Sequence, residues 1–144
     1  MDKKYQLPGN NFQKDLRMNI GEELINYETV SLEEVNTWFK VASIEDFPEN
    51  GGACAVYRGL QIAIFNFSRR NEWYATQNLC PHKQQMILAR GIIGSQKNEP
   101  KVACPYHKKA FSLKSGKNLN GNECDLATYP VKVESGYVYV GFKE

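Results

Sequence analysis

The sequence predicts an all-β fold, a small antiparallel sandwich or barrel, on three observations. Short apolar runs recur from Trp38 to Phe142, separated by turn residues. Val131, Val133, Val138 and Val140 alternate along two runs joined by Glu134-Ser135-Gly136, which gives one apolar face to a hairpin. Aromatic residues make up 12% of the chain, and many of the Tyr and Phe fall in short β-like runs.

Taken in order, residues 38–41 form the first predicted strand. Residues 53–57 and 61–67 flank Arg58-Gly59-Leu60, a hairpin signal with Gly at the turn. Residues 72–76 make another short strand that runs toward Cys80. Residues 101–103 lead into Cys104, and residues 110–113 follow, before a Lys114-Ser115-Gly116-Lys117 turn. Residues 129–133 and 137–142 make the terminal hairpin. Two helix-start signals of the S-x-x-E/D kind, Ser31-Leu32-Glu33-Glu34 and Ser43-Ile44-Glu45-Asp46, predict single turns of helix. Many short strands at close spacing suit a sandwich or barrel. Residues 1–30 are polar and weakly patterned, and the expected organisation is an extension over 1–36, partly disordered or with a short helix, followed by one domain over 37–144.

Composition bounds the function. A chain of 144 residues with 42% apolar and 24% charged residues is an ordinary globular domain with room for a core of its own. Residues 1–50 hold 5 basic and 10 acidic residues, and residues 51–144 hold 13 and 6. The positive excess is concentrated between Lys83 and Lys117. It is too modest for a nucleic-acid binder; it suits an acidic docking partner, or else a solvated lysine-rich face. The first thirty residues have no export signal, and the longest apolar run, 60–65, is too short to span a bilayer. The expected location is therefore cytoplasmic, with no membrane partner, and the four cysteines are read as ligands or thiols rather than a disulfide framework.

The chemistry lies in two motifs. The chain has two histidines, each just after a cysteine: Cys80-Pro81-His82 and Cys104-Pro105-Tyr106-His107. Each pair follows a predicted strand and falls on a loop tip, with Pro stiffening the turn. Thiolate and imidazole both suit iron. With one Cys and one His per loop, the thiolates can take one iron of a [2Fe–2S] centre and the imidazoles the other, which is the Rieske arrangement. Two ferric ions, two sulfides and two thiolates are neutral, so this form accepts an electron more readily than a four-thiolate cluster. A Cys₂His₂ zinc site is the competing reading, but zinc sites usually pair like with like. Cys54 is expected to be a buried core thiol and Cys124 a polar-loop residue, neither a ligand.

At these residues the chain resembles the Rieske family, and within it the small subunits of assimilatory NAD(P)H-dependent nitrite reductases. The resemblance covers residues 38–142. It rests on Cys80-Pro81-His82-Lys83, Ala89-Arg90-Gly91-Ile92-Ile93-Gly94, and Val102-Ala103-Cys104-Pro105-Tyr106-His107-Lys108-Lys109, together with Phe111-Ser112-Leu113-Lys114-Ser115-Gly116 and Tyr129-Pro130-Val131-Lys132-Val133-Glu134. Lysine follows each histidine where other Rieske ferredoxins commonly have Gly. The resemblance implies a Rieske fold with two cluster-binding loops and a [2Fe–2S] cluster on Cys80, His82, Cys104 and His107. It also implies a partner, the nitrite reductase large subunit with flavin, a further iron–sulfur cluster and sirohaem. The chain itself would carry electrons and hold no catalytic site. The alternatives are a free Rieske ferredoxin serving an oxygenase and a structural metal-binding interaction module.

Overall fold

The computed structural model describes residues 27–81, 85–106, 109–121 and 125–144. Among them the chain makes twelve strands and three single-turn 3-10 helices, and all the strand pairs are antiparallel. The expected all-β fold is what forms.

The centre is β3 (Leu60–Phe67), whose residues from Ile62 to Phe67 are all buried. A strand covered on both faces reads as a near-continuous apolar run, as Ile62-Ala63-Ile64-Phe65 does. It is flanked by β2 (Gly51–Tyr57) and β4 (Glu72–Gln77), and β10 (Thr128–Tyr129) completes the order β10-β4-β3-β2. The β2–β3 hairpin turns on Arg58 and Gly59, with φ of 51° and 85°, the left-handed pair that a two-residue turn needs. A second sheet has the order β1-β12-β11, from β1 (Thr37–Ser43), β11 (Val131–Glu134) and β12 (Tyr137–Phe142).

The expected strand 129–133 is in fact two. Thr128 and Tyr129 pair with Thr76 and Ala75 of β4, whereas Val131 pairs with Val140 of β12. Pro130 stands between, with no N–H to give either ladder, and there the chain passes from one sheet to the other. Both helix-start signals hold. Leu32–Glu34 is a 3-10 turn with the Ser31–Glu34 capping box, and Ile44–Asp46 is one whose Glu45 N–H donates to Ser43 Oγ.

Two smaller sheets carry the loops of interest: β5 (Leu79–Cys80) with β6 (Gln85–Met86), and β7 (Ile92–Gln96), β8 (Glu99–Ala103) and β9 (Ala110–Ser112) in that order. The core is accordingly double. One buried cluster joins Ile62, Ile64, Ala75, Val138 and Val140 between the two larger sheets. The other joins Phe65, Leu88, Val102, Phe111 and Leu126 with Cys80 and Cys104.

The described end of the extension, 27–36, lies against the domain. Val30 N–H donates to Thr128 O at 2.9 Å, Thr128 N–H donates to Thr29 Oγ1 at 3.1 Å, and Asn36 exchanges two hydrogen bonds with Glu144. The rest of the extension, 1–26, lies outside the described residues.

Candidate metal centre

Cys80 ends β5 and Cys104 directly follows β8, so two separate sheets bring their thiols into the same apolar cluster. Both are sealed from water, at 0% and 1% exposure. Each stands at the mouth of a closed loop. Cys80 is the register partner of Gln85, closing the segment that contains His82. Cys104 N–H donates to Lys109 O at 2.9 Å, closing the segment that contains His107. His82 and His107, with Lys83 and Lys108, lie outside the described residues.

This donor set fits an iron–sulfur centre. A thiolate taken out of water is unfavourable without a compensating charge, and soft metal ions supply one. Phe111, Leu113 and Leu126 close the same cluster and so keep water from it.

The first loop is held by polar groups that strand patterning did not reveal. Gln77 and Asn78 are buried, at 5% and 4% exposure, just before Leu79-Cys80. The Gln77 amide donates to Leu79 O at 2.7 Å, and its carbonyl accepts from Ala127 N–H at 2.9 Å. The Asn78 amide donates to Gln61 Oε1 at 3.1 Å, and its carbonyl accepts from Ala89 N–H at 2.7 Å. Asn78 O also accepts from Ile87 and Leu88 N–H. The signal in the sequence was a polar Thr76-Gln77-Asn78 run between Ala75 and Leu79, where a buried strand would otherwise continue.

Cys54 differs from expectation: it is exposed. Ala53, Ala55 and Tyr57 of β2 pack on the core, so the pleat turns Cys54 and Val56 outward. Its sulfur is nonetheless partly shielded, 3.6 Å from Asn78 Nδ2 and 3.7 Å from Gln61 Oε1. That desolvation pushes its thiol pKa up. Cys124 lies outside the described residues. No helix among the described residues is long and apolar enough to cross a membrane.

A family model described as a Rieske-like [2Fe-2S] domain matches residues 37–141. The chain is 35% identical over 104 residues to a nitrite reductase [NAD(P)H] large subunit from Klebsiella oxytoca, covering 72% of this chain but only 11% of that much longer protein. It is 29% identical over 104 residues to the nitrite reductase (NADH) small subunit of Salmonella typhimurium, covering 72% of this chain and 96% of that one. The solution structure of the E. coli protein NirD superposes with a TM-score of 0.68 at 27% identity, covering 75% of this chain and 98% of that chain.

Proposed function

The chain belongs to the Rieske-like [2Fe–2S] domain family, and from that premise we propose that it is the small, electron-carrying subunit of an assimilatory NAD(P)H-dependent nitrite reductase. The observation that carries the reading is the burial of Cys80 and Cys104 in one apolar cluster at the mouths of two closed loops. The relatives agree with it: similar sequences stand as a separate small subunit and inside a large one.

In this reading Cys80 and Cys104 hold one iron, and His82 and His107 hold the other. The bound centre supplies one-electron transfer at a higher potential than an all-thiolate cluster. The chain's own residues hold that centre and exclude water from its thiolate side. They perform no bond chemistry on nitrite. The reduction of nitrite to ammonia belongs to a large subunit with flavin, a further iron–sulfur cluster and sirohaem. Residues 37–144 are the electron-carrying domain, 1–36 an extension, and the complex works in the cytoplasm.

The test is purification of the chain with that large subunit, followed by iron and sulfide analysis and an assay of nitrite-dependent NAD(P)H oxidation. The expected result is two irons and two sulfides per chain, and activity that falls when the chain is omitted. One zinc and no sulfide, in material made under iron-replete anaerobic conditions, overturns the metal assignment. Full activity without the chain overturns the subunit assignment.

A further inference from the structure

We infer that Gln77 and Asn78 are positioning residues for the metal centre, setting the direction in which Cys80 presents its thiolate. The inference rests on the reading of Cys80 as a ligand. Neither side chain needs to be polar for packing alone. Both are buried, and each carboxamide uses its donor side and its acceptor side on different segments of the chain. Buried amides without partners are unfavourable, so these bonds hold the two side chains in place.

The bond from Gln77 Nε2 to Leu79 O, at 2.7 Å, bears directly on the ligand. The Leu79–Cys80 peptide is planar. Fixing the direction of its carbonyl fixes the opposite direction of the Cys80 N–H, and with it the rotation of the chain at Cys80. The other end of the same side chain is held by Ala127 N–H, next to Leu126, which packs in the cluster of the two thiols. Asn78 performs the matching task for the return of the loop. Its backbone carbonyl takes the N–H groups of Ile87 and Leu88, and its side chain takes that of Ala89. The strand entering the first ligand loop and the turn leaving it are therefore held from two adjacent residues.

A purely structural role and a positioning role predict different results. Ligand orientation governs the electronic state of the centre, and groups around a ligand tune its potential. Full-length Gln77→Met loses both side-chain bonds at similar length. Gln77→Glu, read at pH 8, keeps the acceptor for Ala127 and loses the donor for Leu79. Val140→Ala, in the other core cluster, is the control for loss of stability alone. Each protein is measured for iron and sulfide, Tm, midpoint potential and EPR line shape.

In Gln77→Met the centre is expected to be retained. Its ratio of reduced to oxidised forms at a fixed potential shifts about tenfold, which is about 59 mV for one electron. Its EPR lines broaden as the thiolate samples more orientations. Gln77→Glu follows in the same sense, while Val140→Ala lowers Tm and leaves both readouts unmoved. A loaded Gln77→Met or Gln77→Glu protein with lower Tm but unchanged potential and EPR overturns the positioning role. If the unaltered chain itself carries no iron or sulfide, the reading of Cys80 as a ligand fails, and the positioning role with it.

Discussion

Gly91 lies so close to Ala103 that a Cβ at residue 91 would stand 2.5 Å from the Ala103 carbonyl oxygen. The contact links the segments that lead to Cys80 and Cys104. Gly91 N–H donates to Leu88 O, Leu88 N–H donates to Asn78 O, and Asn78 precedes Leu79-Cys80. On the other side Ala103 runs directly into Cys104. Gly91→Ala must therefore move the turn Leu88–Arg90 away from β8, against Val102 as well as Ala103. The expected cost is about 1–3 kcal/mol, as for other overpacked sites. Urea titration with iron analysis checks it: lower stability with reduced iron content is expected, and neither should change if the two loops are independent.

Loss of a ligand is expected to act locally. Cys80 and Cys104 sit in one buried cluster, while Ile62, Ile64, Ala75, Val138 and Val140 form the other without them. Cys80→Ser or Cys104→Ser should abolish the visible spectrum of the centre and raise hydrogen exchange through both ligand loops. The β-sheet far-UV signal should persist, because the larger sheets pack on the second cluster. Unfolding of both variants would show that the centre, and not this core, holds the domain together.

Much of this was legible in the sequence, for identifiable reasons. The alternation at the start of Tyr137–Phe142 and the hairpin turn at Arg58-Gly59 carry their own local signals. The two Cys/His motifs marked a candidate site by their spacing, and the structure brings their cysteines into one buried cluster. The hairpin between β7 and β8 did not, since it turns on Lys97 and Asn98, with φ of 51° and 68° and no glycine to mark it. The outward face of Cys54 depends on register, which inverts every side chain with a shift of one residue. The roles of Gln77 and Asn78 were hidden because their partners are remote: Ala127 is fifty positions from Gln77. Burial of a carboxamide becomes favourable only once such partners are known.

Tyr129 predicts an alkaline weakness. Its hydroxyl is buried and has no hydrogen-bond partner among the described residues. Burial raises its pKa above the ordinary 10.0, and Tyr27 adds to the rise. Burial, together with the hydrogen bond to Glu72, pushes Tyr74 up to about 12. For an acid whose folded pKa is raised, the unfolded chain loses its proton first. Stability is then full below about pH 10 and falls as pH climbs toward 12. Tyr129→Phe should match or exceed the parent at pH 7, by up to about 1 kcal/mol, and flatten the decline above pH 10. Denaturant midpoints from pH 7 to 11 decide it. A clear loss at pH 7 would mean that the hydroxyl has a partner in solution.

The lysines around the second loop predict salt-sensitive docking. Lys109 closes the loop at Cys104, and Lys108 beside it lies outside the described residues. Ile92, 74% exposed, is the register partner of Ala103 on the neighbouring strand. An exposed apolar residue on that strand, with the lysines that the sequence gives the second loop, suits an acidic partner surface, with the charges governing approach. Reversal of Lys108 and Lys109 to Glu should weaken binding to the proposed large subunit by roughly tenfold at low ionic strength and flatten its salt dependence. Equal affinity across a salt series would make these lysines plain solvated surface.

The reduction potential should lie near the lower end of the Rieske range. High-potential members of the family, which this chain resembles at the ligands, add a disulfide between the two loops and a pair of hydroxyl donors after the second histidine. Neither device is available here. Lys83-Gln84-Gln85 and Pro105-Tyr106 supply no extra cysteine, and the donor positions hold Lys109 and Phe111. Phe111 is fully buried in the cluster that contains both thiols, so an apolar ring stands where a hydroxyl would. Two hydroxyls of this region are already committed. Tyr74 packs against the same cluster but donates to Glu72 at 2.8 Å, and Ser112 donates to Glu99 at 2.5 Å. Hydrogen bonds to the sulfurs raise the potential by stabilising the added electron. Without them the midpoint should fall at roughly −150 mV rather than +300 mV. The lysines push upward, but screening of exposed charge keeps that effect small. Redox titration followed by EPR measures it, and Phe111→Tyr should move the midpoint upward. A parent midpoint well above zero would require donors other than Tyr74 and Ser112 around the centre.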